Sequence, residues 1–134
     1  MRRVLMAVAA VAVTAAGTAV MAAQRANNWT LLGERVVTDR ADHDTIVVTV
    51  ARGGFTAVRF DVIRHAVDFH RVVIHFGNGD DQKVDLRHTI PAGGSSRVID
   101  VEGGDRVIKS IDFWYDAKTL GRGGSATVRV VGRR

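Results

Sequence analysis

Asp112, Trp114 and Asp116 have the residue types and the spacing of a sugar-binding surface. In an extended strand, residues two positions apart share a face, so both carboxylates flank the indole on the same side of a sheet. The alternate positions are apolar and are expected to face the core, which leaves the tryptophan facing solvent. Because an exposed aromatic ring can stack on a sugar while neighbouring acids bind its hydroxyls, the pattern predicts a ligand-binding site at these three residues.

Other interpretations of Trp114 remain open at this point. The ring could instead anchor a protein interface, where tryptophan is enriched, or pack beneath a loop or a neighbouring strand. A bulge near Lys109 and Ser110 would invert the assignment of faces. Catalysis on a glycoside is not indicated, because Asp112 and Asp116 lie about 13 Å apart along a strand. Glycosidases hold their two carboxyl groups about 5 to 9 Å apart.

His70 and His88 are the candidate metal ligands, and a metal-dependent hydrolase is the function that they would serve. Alternating apolar residues predict a hairpin of Val67–Phe76 and Gln82–His88 with Asn-Gly in its turn. A three-residue loop, Asn78–Asp80, gives the hairpin one apolar face and sets His70 opposite His88. Zinc needs three or four converging ligands, and two histidines near a sheet end are more simply explained as solvated or hydrogen-bonded. This hypothesis therefore ranks last.

Nucleophilic catalysis is not indicated by any motif. The chain has no cysteine, and no serine stands in a Gly-x-Ser-x-Gly elbow. Ser95 and Ser96 lie instead in a glycine-rich turn. We therefore predict that the protein is not an enzyme, and we expect no cofactor.

The strands that must position these residues are indicated by a period of two. Thr45–Ala51 and Phe55–Ile63 alternate in polarity and are rich in β-branched residues. Val107–Tyr115 and Ser125–Val131 continue the pattern after glycine-rich turns, and Gly33 is predicted to mark a bulge or a close backbone contact. About eight short strands and no helical period predict an all-β fold, a single antiparallel β-sandwich with jelly-roll or Greek-key connections.

The N-terminal segment has the features of a secretory signal peptide. Met1–Arg3 is cationic, Val4–Ala23 is uncharged and almost wholly apolar, and Val20–Ala22 ends in the small residue that signal peptidase requires. We therefore predict residues 1–22 as a signal peptide and residues 23–134 as the β-sandwich domain. An uncleaved membrane anchor is the alternative, since the apolar run is nearly long enough to span a bilayer.

Composition and charge narrow the classes of partner. Removing 22 of the 134 residues leaves 112, and the loss of Arg2 and Arg3 lowers the formal net charge from +5 to +3. Basic residues are interleaved with acidic ones, whereas nucleic-acid binding needs them on one stripe. With no cysteine, no disulfide or lipid-bearing thiol is expected. The chain is therefore predicted to be periplasmic or secreted, without nucleic acid and without a stable membrane anchor after cleavage.

The domain carries the stretches WTLLGERVV, DTIVV, FTAVRFDV, a GNG turn and AGGSSRVIDVEGG followed by IKSIDFWY. Together these resemble the YaaI-like family of small exported bacterial proteins of unknown function. The resemblance covers nearly all of the domain and consists of turns and core positions, with no catalytic motif. It implies a periplasmic β-sandwich with no assigned activity.

The sequence thus predicts an exported binding or envelope-accessory protein. The first hypothesis is a module that binds a carbohydrate or another envelope polymer through Trp114, Asp112 and Asp116. The alternative is a protein-interaction or assembly domain that uses a sheet edge or the same tryptophan face. A metal-dependent hydrolase at His70 and His88 is the distant third.

Overall fold

The computed structural model describes residues 28–48 and 53–134. The predicted signal peptide and its cleavage site lie outside these residues. Within the described part of the chain, no helix is long and apolar enough to cross a membrane.

In the described part of the chain, nine strands form two antiparallel sheets, which confirms the predicted β-sandwich. The four-stranded sheet has the order β1-β9-β3-β7, and the five-stranded sheet has the order β2-β8-β4-β5, with β6 paired to β4. The strands are β1 (Trp29–Thr38), β2 (His43–Val47), β3 (Ala57–Ile63), β4 (Val67–Phe76), β5 (Asp81–Val84), β6 (His88–Ile90), β7 (Ile99–Asp100), β8 (Ile108–Tyr115) and β9 (Ser125–Arg133). A 3-10 helix, Ala117–Leu120, joins β8 to β9.

The core lies between the two sheets and is tied together by aromatic rings. Phe60 of β3 meets Phe69 of β4 and Phe113 of β8 at centroid distances of 5.5 and 6.0 Å. All three rings are buried, and each such side chain contributes about 1.5–3 kcal/mol when it leaves water. Because the rings come from both sheets, they hold the inner face of the five-stranded sheet against the four-stranded sheet. The opposite face of the five-stranded sheet is therefore turned to solvent.

The β4–β5 turn differs from the predicted loop Asn78–Asp80 by one residue. His75 pairs with Asp81, and the Phe76 amide donates to the Asp80 carbonyl, so the loop is residues 77–79. Gly79 takes a φ of 96° there, which a residue without a Cβ adopts at no steric cost. The predicted loop would place Asp80 at that last position. The shift brings His75 opposite Asp81.

Gly33 marks the bulge that the sequence predicts. The register of β1 against β9 shifts between Leu31 and Gly33. A Cβ at Gly33 would lie 2.6 Å from the Ile46 side chain and 3.1 Å from the Val47 carbonyl oxygen. The glycine thus lets β1, an edge strand of one sheet, approach β2, an edge strand of the other.

Candidate functional site

The outer face of the five-stranded sheet carries a row of three planar side chains, which we call the aromatic row: His43, Trp114 and Arg71. They come from β2, β8 and β4, and Trp114 is the cross-strand partner of both neighbours. The imidazole of His43 stacks on the indole at a centroid distance of 4.5 Å and an angle of 27°. The guanidinium carbon of Arg71 lies 4.0 Å from the indole centroid.

Both faces of the Trp114 ring are therefore covered. Because β2 and β4 flank β8 on opposite sides, His43 and Arg71 contact opposite faces of the indole. Trp114 is half-buried, while His43 and Arg71 are exposed. The strand alternation correctly puts Trp114 on the outer face, but its ring stands between two partners and presents an edge to solvent.

A hydrogen-bonded cluster lies next to the aromatic row, and we call it the polar network: Thr45, His75, Asp81 and Asp112. Asp112 accepts hydrogen bonds from the Thr45 hydroxyl through Oδ1 and from His75 Nε2 through Oδ2, the latter at 2.7 Å. His75 Nδ1 lies 2.6 Å from Asp81 Oδ1. The imidazole thus joins β4 to both of its neighbours, β8 and β5.

The electrostatics of the polar network favour a charged imidazole. Hydrogen bonds to Asp112 and then to Asp81 raise the pKa of His75 above its usual value of 6.5, against the opposing effect of burial. Burial works to raise the pKa of Asp112, but hydrogen bonds from Thr45 and His75 outweigh it and hold that pKa below 3.8. A neutral imidazole can donate from one nitrogen only, whereas the imidazolium donates to both carboxylates.

This arrangement does not form a Ser-His-Asp set. Ser110 is the cross-strand partner of His75, but each ring nitrogen of His75 already faces a carboxylate oxygen. A general base needs a free nitrogen towards the serine hydroxyl. The polar network therefore lacks the free imidazole nitrogen that activation of a serine requires. It lines an open depression of about 460 Å³.

Asp116 is not part of this surface arrangement. Strand β8 ends at Tyr115, and Asp116 is the N-cap of the 3-10 helix, where its Oδ1 accepts from the Lys118 amide at 3.0 Å. Its own amide donates to the Asp68 carbonyl. Aspartate is a preferred N-cap residue because its side chain satisfies an amide that the helix leaves unpaired. The sequence signal for this N-cap role is an aspartate that directly follows a strand of alternating polar and apolar residues.

His70 and His88 do not pair across strands, so the predicted register is wrong. His88 pairs with Phe69, and a bulge in β4 between Phe69 and Arg71 accommodates His70. The extra residue shifts the alternation of β4, which a uniform period of two does not anticipate. Residues 28–48 and 53–134 contain no cluster of three or more His, Cys, Asp or Glu side chains arranged to hold a metal ion.

Sequence reasoning missed His75, Thr45, His43 and Arg71. Each of these side chains contacts a residue on another strand, and the pairing of strands that are distant in sequence is not encoded in any local pattern. One signal was available for His75. With a glycine as the last loop residue, the hairpin register sets His75 opposite Asp81.

Comparison with known proteins shows likeness in fold. No curated protein matches the chain. Among solved structures, AlgX of Pseudomonas aeruginosa is similar at a TM-score of 0.50 and 14% identity, over 78% of this chain. This chain spans 27% of the AlgX chain, about a quarter of its length. At that identity, the likeness shows the fold alone.

Carbohydrate binding modules of family 29 also match. One has a TM-score of 0.37 at 18% identity, covering 79% of this chain and 78% of the module. A mutant of a module of the same family has a TM-score of 0.39 at 16% identity, covering 79% of this chain and 81% of the module. The resemblance to YaaI-like proteins stays a prediction. A family model described as a domain of unknown function, DUF2541, matches residues 4–132, and the chain therefore belongs to the DUF2541 family.

Proposed function

We propose that this protein is a non-enzymatic module that binds a polysaccharide on the outer face of its five-stranded sheet. The observation that carries the proposal is the aromatic row standing directly beside the polar network. A sugar ring has apolar C–H faces and a rim of hydroxyls, so its binding site needs flat apolar groups next to hydrogen-bonding ones. The apolar surface here is the indole edge of Trp114 between His43 and Arg71, and Asp112, two residues away on β8, supplies the hydrogen-bonding group.

The dimensions of the aromatic row suit an extended chain of sugars. The row crosses three strands, which is about 10 Å at the usual strand spacing. The ligand would contact the indole edge of Trp114 and the exposed surfaces of His43 and Arg71. Thr45 and Asp112 lie on the same strands two residues further along, about 7 Å away, where they can bond hydroxyls.

The outer face is preorganised for such a contact. Trp114 is held by stacking and cation–π contacts, and His75 holds Asp112 and Asp81 in place from β4. A ligand therefore meets side chains whose rotamer entropy is already lost, which reduces the free energy that binding must spend on ordering. Asp116 is left out of the proposed site because its carboxylate caps the 3-10 helix.

Binding of the purified protein to peptidoglycan and to a panel of polysaccharides tests the proposal. The informative variant is Trp114→Ala, and its matched control is Trp29→Ala. Trp29 lies on β1 of the four-stranded sheet and also contacts arginines, Arg59 at 4.7 Å and Arg133 at 5.0 Å. We expect a panel member to bind the wild type and the Trp29 variant, and to lose binding to a folded Trp114 variant. Equal binding by both variants would contradict the proposal.

We further propose that the protein acts outside the cytoplasm, in the periplasm or after secretion. The support is the cationic start, the uncharged apolar run and the small-residue cleavage pattern of residues 1–22. An envelope or extracellular polysaccharide is a ligand that such a protein would meet there. Fractionation of cells that express the protein, with a cytoplasmic enzyme as the marker, tests this location.

Protein association through the sheet edges is the second candidate function. Edge strands β1 and β2 expose valines, with Val36 56% and Val47 59% accessible. Exposed apolar side chains on an edge favour pairing with another chain. If this function holds, light scattering should show a dimer that Val36→Lys dissociates. A monomer at all concentrations would leave polysaccharide binding as the better account.

A further inference from the structure

We infer that the polysaccharide bound by this protein is acidic and carries carboxylates, which a second depression on the same sheet holds. This inference rests on the proposed function and names its ligand class. The depression, which we call the basic groove, has a volume of about 560 Å³. Its lining consists of His70, Arg71, Lys83, Val84, Asp85 and Arg87.

The basic groove is continuous with the aromatic row because Arg71 belongs to both. The guanidinium of Arg71 packs on the Trp114 ring, and Arg71 is also one of the residues that line the groove. A sugar in contact with Trp114 would therefore place a substituent within reach of the groove. The bulge in β4 leaves His70 unpaired with β8 directly beside Arg71, and both residues line the groove.

The charges in the groove favour an anion. Three permanent cations, Arg71, Lys83 and Arg87, face a single carboxylate, Asp85. Asp85 is already paired with Arg87 at 3.0 Å. Within residues 28–48 and 53–134, neither Arg71 nor Lys83 forms an ion pair with a carboxylate. Two exposed cations are thus available to an acidic ligand.

Carboxylate is the group that this pair of cations fits. The planar fork of a guanidinium matches the two oxygens of a carboxylate, and the ammonium of Lys83 adds a point charge. The stack on Trp114 holds Arg71 in one orientation, so little further entropy is lost when it binds. The carboxylates of Asp81 and Asp112 lie in the polar network, and they would repel an acidic group placed there. The acidic substituent is therefore directed to the Arg71 end of the face.

A matched pair of polymers tests the inference, namely polygalacturonate and its fully methyl-esterified form. The two share a backbone and differ in charge. We expect polygalacturonate to bind about tenfold more tightly, a difference of about 1.4 kcal/mol. Lowering the ionic strength from about 0.15 M to about 0.01 M lengthens the screening distance from about 8 to about 30 Å, and should strengthen binding of the acidic form only.

Two substitutions locate the effect. Lys83→Gln removes an exposed cation of the groove, and Arg71→Gln removes the one that is shared with the aromatic row. Each should reduce the preference for polygalacturonate severalfold, while binding of the methyl ester changes little in Lys83→Gln. The control is Arg122→Gln, an equal loss of charge at an exposed turn outside the groove. It should retain the full preference.

The outcomes separate the inference from the proposed function. If the methyl ester or another neutral glycan binds as tightly as the acid, the inference is overturned while polysaccharide binding stands. If no polymer binds, both fail. A further outcome is that dextran sulfate binds as tightly as polygalacturonate, with Trp114→Ala weakening neither. In that case the protein binds any polyanion through its net positive charge, and the inference is overturned.

Discussion

Replacing His75 with glutamine should lower the stability of the protein in mildly acidic solution and have little effect in alkali. The hydrogen bonds to Asp112 and Asp81 raise the pKa of His75 in the folded protein. The stabilisation is therefore fully present below the unfolded value of about 6.5 and is lost as the pH rises through the raised folded value. Asp112 sets the lower end of the pH range in which the polar network is stabilising. Its lowered pKa gives stabilisation that is present above about 3.8 and is lost as the pH falls through the folded value.

The magnitude follows from the exposure of the partners. The side chains of His75 and Asp112 are 30% and 21% accessible, whereas that of Asp81 is 49% accessible. A hydrogen bond to a charged, partly buried partner contributes about 1.5 kcal/mol, and an exposed pair contributes about 0.5 kcal/mol. The loss at pH about 5.5 should thus be about 2 kcal/mol, or about 8 °C in melting temperature for a domain of this size.

Thermal unfolding of the wild type and His75→Gln at two pH values provides the assay. At pH about 9 the difference in unfolding free energy should fall below about 0.5 kcal/mol. His88→Gln is the matched control, since His88 is an exposed histidine on the neighbouring strand β6, and it should melt like the wild type at both pH values. A deficit in His75→Gln of equal size at both pH values, or none in acid, would refute the reasoning.

Three further outcomes test other parts of the account. Burial and the hydrogen bond donated to Asp44 at 2.7 Å raise the pKa of Tyr115, the single tyrosine. In an alkaline titration, tyrosinate absorbance should therefore appear only when circular dichroism shows unfolding, and its appearance in the folded protein would contradict the structure. A Cβ at Gly132 would lie 2.7 Å from the Phe55 ring, so Gly132→Ala should cost about 1–3 kcal/mol in denaturant unfolding; an unchanged midpoint would show that the core is looser than described. Mass spectrometry of the exported protein should find Ala23 at the N-terminus, whereas an intact Met1 would disprove cleavage.

The fold was predictable because alternation reports directly on burial. From Ile111 to Tyr115 in β8, the buried residues are Ile111, Phe113 and Tyr115, while Asp112 and Trp114 between them are partly exposed, as a period of two requires. The period breaks at the start of the strand, where the pairing with β4 skips a residue and Ile108 is buried as well. The same regularity allowed Trp114 and Asp112 to be placed on one outer face. Prediction was weaker where regularity breaks. The bulge at His70 and the glycine-ended loop of residues 77–79 each shift a register, and a uniform period of two anticipates neither shift.

The site was only partly predictable because it is assembled across strands. Asp112 receives its bonds from Thr45 and His75, which are 67 and 37 residues away in the sequence. Such contacts follow from strand order, which short-range periodicity does not determine. Asp116 shows the limit of spacing alone, which placed it on the strand face with Trp114, whereas it follows β8 and caps the 3-10 helix.

Fluorescence of Trp114 during titration with a polysaccharide is the most direct test of the proposed binding face. The chain has two tryptophans, so Trp29→Phe leaves Trp114 as the sole reporter. Because His43 and Arg71 contact its ring, a ligand on the aromatic row must alter its surroundings. We predict a saturable change in emission with the same midpoint as binding measured by affinity electrophoresis. A polysaccharide that binds fully while Trp114 emission stays constant would contradict the account.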